Sequence, residues 1–260
     1  MSTNLTNIHP DAKIGQNVTI SPFTTIEKNV VIGDGTWVGS NVNIMEGTTI
    51  GKNNKIFPGA VIGAIPQDLK FQGEKTTVEI GDNNTIRECV TINRGTSAKG
   101  KTVVGSNNLL MAYTHVAHDC ILANNIIIAN STQLAGEVEI DDFAIIGGMS
   151  AVHQFCHIGT HVMVSGGSLI GKDIPPYVKA ARNPISYAGV NSIGLRRRKF
   201  GNEKIQEIQD IYRIIYLKGM NNTDAVKFVE AEMPASKERD EIILFVKNSK
   251  GGIMKGYFPE

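Results

Sequence analysis

Five of the six histidines in the chain lie within one stretch, and the sixth is His9 near the start. An imidazole can act as a general base near neutral pH, and clustered imidazoles can bind a transition metal. Which chemistry applies depends on which side chains the fold brings together. The five clustered residues are His115, His118, His153, His157 and His161.

Aliphatic residues recur every six positions through most of the chain. The period is unbroken over 8–62, returns over 80–92 and runs again over 104–170. A helical face needs spacings of three and four, and a half-buried strand alternates every two residues, so neither explains a period of six. A parallel β-helix of hexapeptide repeats does, because each unit supplies one short strand and one corner with its aliphatic side chain inside.

Three units close one triangular coil of 18 residues, so residues n and n+18 are expected to stack about 4.8 Å apart. His118 falls at an outward corner, and steps of 18 lead to Gly136 and then Gln154. A free imidazole beside a glycine with an uncovered backbone N–H provides a general base and an oxyanion donor. This ladder predicts acyl transfer to a hydroxyl group.

The rival interpretation of the histidines is a metal site. A spacing of four, as in His153, His157 and His161, sends the side chains to different faces of an 18-residue coil, and no two histidines are 18 apart. A zinc cluster within one chain is therefore not predicted. Ligands contributed across a subunit interface remain an open alternative.

Two interruptions and a change of pattern divide the chain. Residues 64–79 and 93–103 are polar and out of phase, which predicts loops that leave the column and carry function. The period ends at the consecutive prolines 175 and 176, which are not expected to continue a strand ladder. Apolar stripes then predict helices over 202–217, 223–233 and 236–246. The predicted domains are 1–190, an all-β column of hexapeptide repeats with the acyltransferase site, and 191–260, a small C-terminal helical domain.

Composition narrows the classes of protein. The 260 residues include 26 basic and 25 acidic groups, and a net charge of +1 argues against a nucleic-acid binder. There is no signal-peptide pattern and no apolar run long enough to span a bilayer, so we expect a cytoplasmic protein without a membrane span. Cys89, Cys120 and Cys156 are predicted to be reduced, small buried hydrophobic residues. The predicted chemistry needs no metal or cofactor.

A run of three arginines precedes the predicted helical domain, at residues 196–198. One interpretation is a solvated basic turn at a domain junction. The other is a docking site for phosphates or for an acidic partner, because guanidinium groups bind phosphate in bidentate geometry. The sequence favours neither.

Several segments together resemble the UDP-N-acetylglucosamine O-acyltransferases, the family that opens lipid A biosynthesis in Gram-negative bacteria. The similarity continues through PPYV and GVNSIGLRRR into the helical tail, so it covers nearly the whole chain. The segments are FPGAVIGAIPQDLKFQGEKT (57–76), TINRGT (91–96), GSNNLLMAYTHVAHDC (105–120) and DDFAIIGGMSAVHQFCHIGTHVMV (141–164).

This resemblance implies a left-handed parallel β-helix that forms a homotrimer, with active sites in the clefts between columns. It implies transfer of an (R)-3-hydroxyacyl chain from acyl carrier protein to the 3-hydroxyl of UDP-N-acetylglucosamine. By the same resemblance His118 is the general base, Asp119 its orienting carboxylate and the Gly136 amide the oxyanion donor. Because neighbouring strand residues face opposite ways, only a corner lets Asp119 reach His118.

The resemblance also assigns substrate contacts. Gly166 matches the position at which the family limits acyl length, and its missing side chain predicts a long acyl chain. Three positions depart from the family pattern, since Glu137 and Pro184 replace histidine and Ile193 replaces glutamate. The sugar and acyl groups are expected to contact Gln67, Asp68, Lys70, His115, His153 and Gln154, and the nucleotide or its phosphates are expected to contact Asn191, Arg197 and Arg198.

Three other functions of β-helical proteins fit this sequence less well. The later N-acyltransferase of the same pathway has a uridine-binding domain before its column, for which a period that begins at residue 8 leaves no room. A β-helical carbonic anhydrase would contain metal. An ice-binding β-helix would need threonines 18 apart, whereas Thr24, Thr36 and Thr48 are 12 apart. Acyl length, and whether the acceptor carries a 3-hydroxyl or a 3-amino group, stay open.

Overall fold

The structure is a computed structural model that describes residues 5–256. This part of the chain forms 27 short strands followed by four helices. The helices are α1 (Ser192–Arg197), α2 (Asn202–Leu217), α3 (Asn222–Glu232) and α4 (Lys237–Asn248). The strands are β1 (Asn7–Ile8), β2 (Lys13–Ile14), β3 (Thr19–Ile20), β4 (Thr25–Ile26), β5 (Val31–Ile32), β6 (Trp37–Val38), β7 (Asn43–Ile44), β8 (Thr48–Ile50), β9 (Lys55–Ile56), β10 (Val61–Ala64), β11 (Thr77–Ile80), β12 (Thr85–Ile86), β13 (Thr91–Asn93), β14 (Lys101–Val104), β15 (Leu109–Leu110), β16 (His115–Val116), β17 (Ile121–Leu122), β18 (Ile127–Ile128), β19 (Gln133–Leu134), β20 (Glu139–Ile140), β21 (Ile145–Ile146), β22 (Ala151–Val152), β23 (His157–Ile158), β24 (Met163–Val164), β25 (Leu169–Ile170), β26 (Val178–Ala181) and β27 (Ser186–Val190).

Every third strand belongs to the same sheet, so the column has three faces. The first sheet has the order β1-β4-β7-β10-β13-β16-β19-β22-β25, and the second has β2-β5-β8-β11-β14-β17-β20-β23. The third runs β27-β26-β24-β21-β18-β15-β12-β9-β6-β3. In regular coils Thr25 pairs with Asn43 and His115 pairs with Gln133, so each partner lies three hexads further along. The predicted coil of three hexads is confirmed.

The aliphatic residue of each hexad fills the column interior. From Ile26 to Ile170 the aliphatic strand residues at this phase are at most 4% exposed. At the N-terminal end Ile8 and Ile14 are 36% and 37% exposed, because only one neighbouring coil covers them. Transfer of this apolar surface from water to the interior stabilises the column, at roughly 25 cal/mol per Å² buried.

The three edges of the column are tight corners. We call the corner between the first and second sheets the first edge, that between the second and third the second edge, and that between the third and first the third edge. One residue at most of the corners has a positive φ, such as Asp119 at 61° and Glu137 at 60° on the first edge. Asparagine tolerates this left-handed conformation well and occupies many corners.

Both predicted loops leave the column at the first edge. Val61 pairs with Thr91 on the first sheet, and Thr77 pairs with Lys101 on the second. The chain between the first pair exceeds a regular coil by the length of two hexads, and the chain between the second pair exceeds it by one hexad. The extra length of each coil is therefore a whole number of hexads, and the aliphatic phase is kept on both sides of the loop.

The predicted loop bounds were too wide. Residues 77–79 belong to β11 and residues 101–103 belong to β14, and these strands pair with each other along their whole length. The segments that lie outside the strands are residues 65–76, here called loop 1, and residues 94–100, here called loop 2.

The prediction that the prolines end the ladder was wrong. Strand β26 follows Pro176 and pairs in parallel with β24, with Met163 opposite Lys179. Pro176 lies immediately before the corner residue Tyr177, which has a φ of 66°. Within residues 5–256 the residue before each corner makes no backbone ladder bond through its N–H, so proline is accepted there. The antiparallel strand β27 then closes this end of the third sheet.

The three predicted helices are confirmed as α2, α3 and α4, with α2 at the predicted bounds. Ser236 caps α4 by accepting a hydrogen bond from the Arg239 N–H. Sequence patterning missed the short helix α1, whose last turn contains Arg196 and Arg197.

Two smaller expectations concern polar and sulfur side chains. Thr24 and Thr36 are fully buried, and their hydroxyls donate to backbone carbonyls, so they form no outward ladder. Cys120 and Cys156 are buried as expected, but Cys89 is exposed because it occupies a corner of the third edge. Within residues 5–256 no helix is long and apolar enough to cross a membrane.

Candidate active site

The corner at residue 119 brings two neighbouring side chains together. Asp119 has a φ of 61°, which reverses the usual strand alternation. Its Oδ2 lies 2.8 Å from His118 Nδ1. A carboxylate can only accept, so Nδ1 carries the proton and Nε2 is free to act as a base. Both residues are buried, Asp119 completely.

Gly136 stacks on His118 as the predicted ladder requires. The Glu137 N–H donates to the His118 carbonyl, which fixes the vertical register. A methyl group on Gly136 would lie 2.5 Å from both Nε2 and Cε1 of His118. Among residues 5–256 the Gly136 N–H donates to no acceptor. Glycine thus lets the imidazole pack directly against a backbone segment whose N–H has no hydrogen-bond partner within residues 5–256.

Loop 1 reaches the same imidazole from another direction. Oδ2 of Asp68 lies 3.9 Å from Nε2 of His118. The other carboxylate oxygen of Asp68 accepts from the Lys70 N–H at 2.9 Å, and its carbonyl accepts from the Phe71 N–H, which forms a local turn. Gln67 and Lys70 are exposed on this turn.

Loop 2 holds the carboxylate of Asp119. The Thr96 hydroxyl donates to Oδ2 at 2.6 Å, and the Thr96 N–H lies 3.0 and 3.1 Å from the two oxygens. The Lys99 N–H donates to Oδ1 at 3.2 Å. On the backbone side, the Asp119 N–H donates to the Thr102 hydroxyl at 2.8 Å.

His115 lies on the outer face of the first sheet, in the strand just before His118. Its Nδ1 is 2.7 Å from the hydroxyl of Thr91, its neighbour in the preceding coil. Burial lowers the pKa of His115, and the neighbouring His118 lowers it further. A neutral imidazole with one nitrogen occupied by Thr91 can offer the other to a substrate.

The ladder continues to the next coil at Gln154. The Phe155 N–H donates to the Gly136 carbonyl, so Gln154 lies directly beyond Gly136. His153 is exposed beside it, with Nδ1 3.1 Å from the Gln154 carbonyl. Together with Glu137 they line a cavity of about 660 Å³ that extends to the segment after α4.

Gly166 lies apart from this ladder. It is exposed at the third edge, just before β25, whereas His118 lies at the first edge. The two edges border the same sheet, whose outer face carries His115, Gln133, Ala151 and Leu169 in one row. A ligand that joined Gly166 to His118 would therefore cross this face.

The predicted nucleotide contacts lie at the second edge. Asn191 is buried, caps α1 by accepting from the Gly194 N–H, and donates to the His161 carbonyl. Arg198 donates to the Phe143 carbonyl at 3.1 Å and lies over the Phe143 ring. Arg197 is exposed. Within one chain these residues are not brought together with His118.

The remaining clustered histidines lie at separate places. His157 Nε2 contacts Asp141 on the second face at 2.9 Å, and His161 stacks on Phe143 at the second edge. In residues 5–256 no group of three or more His, Cys, Asp or Glu side chains is placed to hold a metal ion.

Comparisons with known proteins identify the family of this chain. A family model described as UDP-N-acetylglucosamine O-acyltransferase, domain 2, matches residues 173–254, and a bacterial transferase hexapeptide model matches residues 29–64. The acyl-[acyl-carrier-protein]–UDP-N-acetylglucosamine O-acyltransferase of Aliarcobacter butzleri is 49% identical over 96% of this chain and 98% of its own length. The chain belongs to this acyltransferase family.

Solved structures of the acyltransferase family share the whole fold. A UDP-N-acetylglucosamine acyltransferase from Bacteroides fragilis is 58% identical, with a TM-score of 0.96 over 98% of this chain and 100% of its own. A structure from Acinetobacter baumannii is 41% identical, with a TM-score of 0.95 over 97% of this chain and 99% of its own. The predicted left-handed parallel β-helix with a C-terminal helical tail is confirmed.

Sequence reasoning missed the residues that support the acyltransferase site from the loops. Thr91 contacts His115 across 24 residues, and Thr96 contacts Asp119 across 23. The regular step between coils does not apply across loop 2. The only signal for Thr91 was its phase, since it precedes the aliphatic Ile92 as His115 precedes Val116.

Proposed function

We propose that this protein transfers an (R)-3-hydroxyacyl chain from acyl carrier protein to the 3-hydroxyl of UDP-N-acetylglucosamine, the first step of lipid A biosynthesis. The names of its relatives support the donor and the acceptor, and the fold supports an acyltransferase. The observation that carries the proposal is the His118–Asp119 pair at 2.8 Å, with Gly136 packed against the imidazole so closely that a methyl group there would lie 2.5 Å from Nε2.

In the proposed mechanism His118 is the general base. Nε2 removes the proton of the sugar hydroxyl, and the hydroxyl oxygen attacks the thioester carbonyl carbon. Asp119 accepts from Nδ1 throughout, which stabilises the imidazolium that forms. The Gly136 N–H donates to the tetrahedral oxyanion. When the C–S bond breaks, the imidazolium returns its proton to the departing thiolate, so the protein ends in its starting state.

The substrate contacts fit a site shared between chains. Gln67, Asp68 and Lys70 on loop 1, with His115 on the first sheet, are proposed to hold the sugar, and the 3.9 Å between Asp68 Oδ2 and His118 Nε2 supports this role for loop 1. His153 and Gln154 are proposed to contact the acyl donor beside the Gly136 amide. The Gly136 amide and the His118 base lie on one edge, and we propose that the sugar nucleotide and the acyl chain extend away from this edge in different directions.

The nucleotide contacts are the reason for proposing a homotrimer. Asn191, Arg197 and Arg198 lie at the second edge. Within one chain they are not brought together with His118, which lies at the first edge. A neighbouring column that presents its second edge to the first edge would complete the site. Arg197 is exposed and suited to a phosphate, while Asn191 and Arg198 would position the backbone around it.

An acylation assay tests the proposed function. Carrier-bound 3-hydroxyacyl donors are offered with UDP-N-acetylglucosamine, and thiol release and acylated sugar are measured for wild type and His118→Ala. We expect the substitution to remove most turnover, about 10²-fold or more, since it deletes the proton acceptor. His9→Ala on the same edge is the control. Wild-type turnover by His118→Ala, with an unchanged melting temperature, would refute the mechanism.

A further inference from the structure

Loop 2 directs three of its hydrogen-bond donors to a single buried carboxylate. The Thr96 hydroxyl, the Thr96 N–H and the Lys99 N–H all donate to Asp119. Asp119 has no exposed surface, so water does not take the place of these donors. A one-hexad insertion that breaks the regular coil thus has its main polar contact at the carboxylate beside His118.

The donors saturate Asp119. A carboxylate offers about four acceptor positions on its two oxygens. Thr96 and Lys99 occupy three of them, and His118 Nδ1 occupies the fourth. The groups of loop 2 that face Asp119 donate to both of its carboxylate oxygens. The arrangement therefore fixes both the rotation of the carboxylate and its role as acceptor for Nδ1.

The loop approaches Asp119 so closely that residue 95 must be small. A methyl group on Gly95 would lie 2.8 Å from Asp119 Oδ1 and 2.3 Å from the Lys101 N. The far side of the loop is tied to the second sheet, because Lys99 Nζ lies 2.7 Å from Glu139 Oε1. Thr96 lies between Gly95, which packs closely against Asp119, and Lys99, which contacts Glu139, and Thr96 is itself buried.

We propose that Thr96 is a positioning residue for acyl transfer, which acts through Asp119 to hold His118 as a neutral base with Nε2 free. This inference rests on the proposed function, in which His118 accepts the proton. The Thr96 hydroxyl shares the negative charge of Asp119. Without it more of that charge faces Nδ1, which favours the imidazolium over the neutral imidazole and turns the carboxylate away from its fixed orientation.

The test compares Thr96→Val with two other variants. Thr96→Ser keeps the hydroxyl. Thr102→Val is the matched control, because Thr102 is a fully buried threonine on the strand after loop 2 that accepts from the Asp119 backbone N–H and does not touch the carboxylate. Each variant is assayed with carrier-bound 3-hydroxyacyl donor and UDP-N-acetylglucosamine across a range of pH, and melting temperatures are recorded.

For Thr96→Val we expect a fall in kcat of about tenfold, the usual size of a lost hydrogen bond to a charged group, with little change in KM. The acidic limb of its kcat/KM profile should move to higher pH. Thr96→Ser should have the kcat and the kcat/KM pH profile of wild type. Thr102→Val should lower the melting temperature and leave the kcat/KM pH profile unchanged. If Thr96→Val folds poorly, Thr96→Ala removes the same hydroxyl without adding bulk.

The outcomes separate this inference from the proposed function. An inactive His118→Ala together with a Thr96→Val profile that matches Thr102→Val would overturn the role of Thr96 alone. An active His118→Ala would overturn the proposed function itself.

Discussion

The imidazole of His118 lies directly against the Cα of Gly136, one coil further along the same edge. A single added methyl group on residue 136 would lie 2.5 Å from two ring atoms. Carbon and nitrogen atoms do not approach that closely, so the ring would have to move. The ring is hydrogen-bonded to Asp119, and any such movement would break that contact.

Gly136→Ala is therefore expected to abolish most acyl transfer while the column stays folded. The methyl group displaces the His118 ring and also covers the amide proposed to bind the oxyanion. Loss of one oxyanion donor alone costs roughly 10²–10³-fold in kcat. Steady-state assays and a thermal melt of the purified protein measure the two effects.

Gly171→Ala is a matched control for this substitution. Gly171 lies on the same edge two coils beyond Ala135, and an added methyl group there meets no atom within 4 Å. We expect near wild-type turnover. Equal losses in the two variants would contradict a specific role for Gly136.

The ladder from His118 to Gly136 was predictable because it lies beyond both loops. Between Val103 and Ile170 paired strands are one regular coil apart, so phase alone assigns each side chain to a face and a neighbour. Before Val103 the two loops lengthen their coils by two hexads and one hexad, and no periodic pattern states how a loop folds back. The contacts of Asp68 and Thr96 with the His118–Asp119 pair could not be predicted for this reason.

The end of the column was mispredicted for a different physical reason. Proline interrupts a ladder where its N–H is needed, but in the described residues 5–256 the residue before a corner makes no backbone ladder bond. Pro22 and Pro58 occupy the same position before the corner residues Phe23 and Gly59. The coil continues past Pro176 because this proline stands immediately before a corner, where no backbone N–H is needed for the ladder.

Thr91 provides a test of how His115 takes part. Its hydroxyl is 2.7 Å from Nδ1 of His115 and holds the ring in one orientation. For Thr91→Val we expect the KM for UDP-N-acetylglucosamine to rise about threefold to tenfold, with a smaller change in kcat, because one neutral hydrogen bond is lost. Nitrogen NMR of the His115 ring should show one tautomer in wild type and a mixture in the variant. Thr91→Ser should behave as wild type, and an unchanged ring spectrum in Thr91→Val would contradict the prediction.

His161 should make the protein sensitive to acid. It is buried between Phe143 and Tyr177, and within residues 5–256 its Nδ1 has no hydrogen-bond partner. Burial, followed by the nearby charge of Arg198, lowers the pKa of His161 to about 4. An unfolded chain binds a proton at this histidine below about pH 6.5, whereas the folded chain keeps the imidazole neutral down to about pH 4. The free energy of unfolding is therefore unaffected by His161 above about pH 6.5 and decreases as the pH falls from there toward 4. The loss amounts to about 3 kcal/mol at pH 4.

His161→Phe tests this acid sensitivity, since a phenyl ring keeps the aromatic stack and cannot be protonated. We expect its melting temperature to fall several degrees less than that of wild type between neutral pH and about pH 4. Exposed His9 provides the control, because His9→Phe should leave the pH dependence unchanged. If the melting temperatures of His161→Phe and wild type fall equally between neutral pH and about pH 4, His161 does not control acid stability.

Gly166 should determine which acyl donors are accepted. It is exposed at the third edge, across the first sheet from His118, and we expect the far end of a long acyl chain to reach it. With no side chain at this position we expect wild type to prefer donors longer than ten carbons, measured as kcat/KM over a series of carrier-bound 3-hydroxyacyl chains.

A side chain added at residue 166 cannot turn inward, since its Cβ would lie 3.1 Å from the Gly148 carbonyl oxygen. Gly166→Leu should therefore shift the preference to shorter donors and leave the KM for the sugar nucleotide unchanged, whereas Ser165→Leu, next to it and also exposed, should not. A wild-type preference for the ten-carbon donor would contradict the assignment of Gly166.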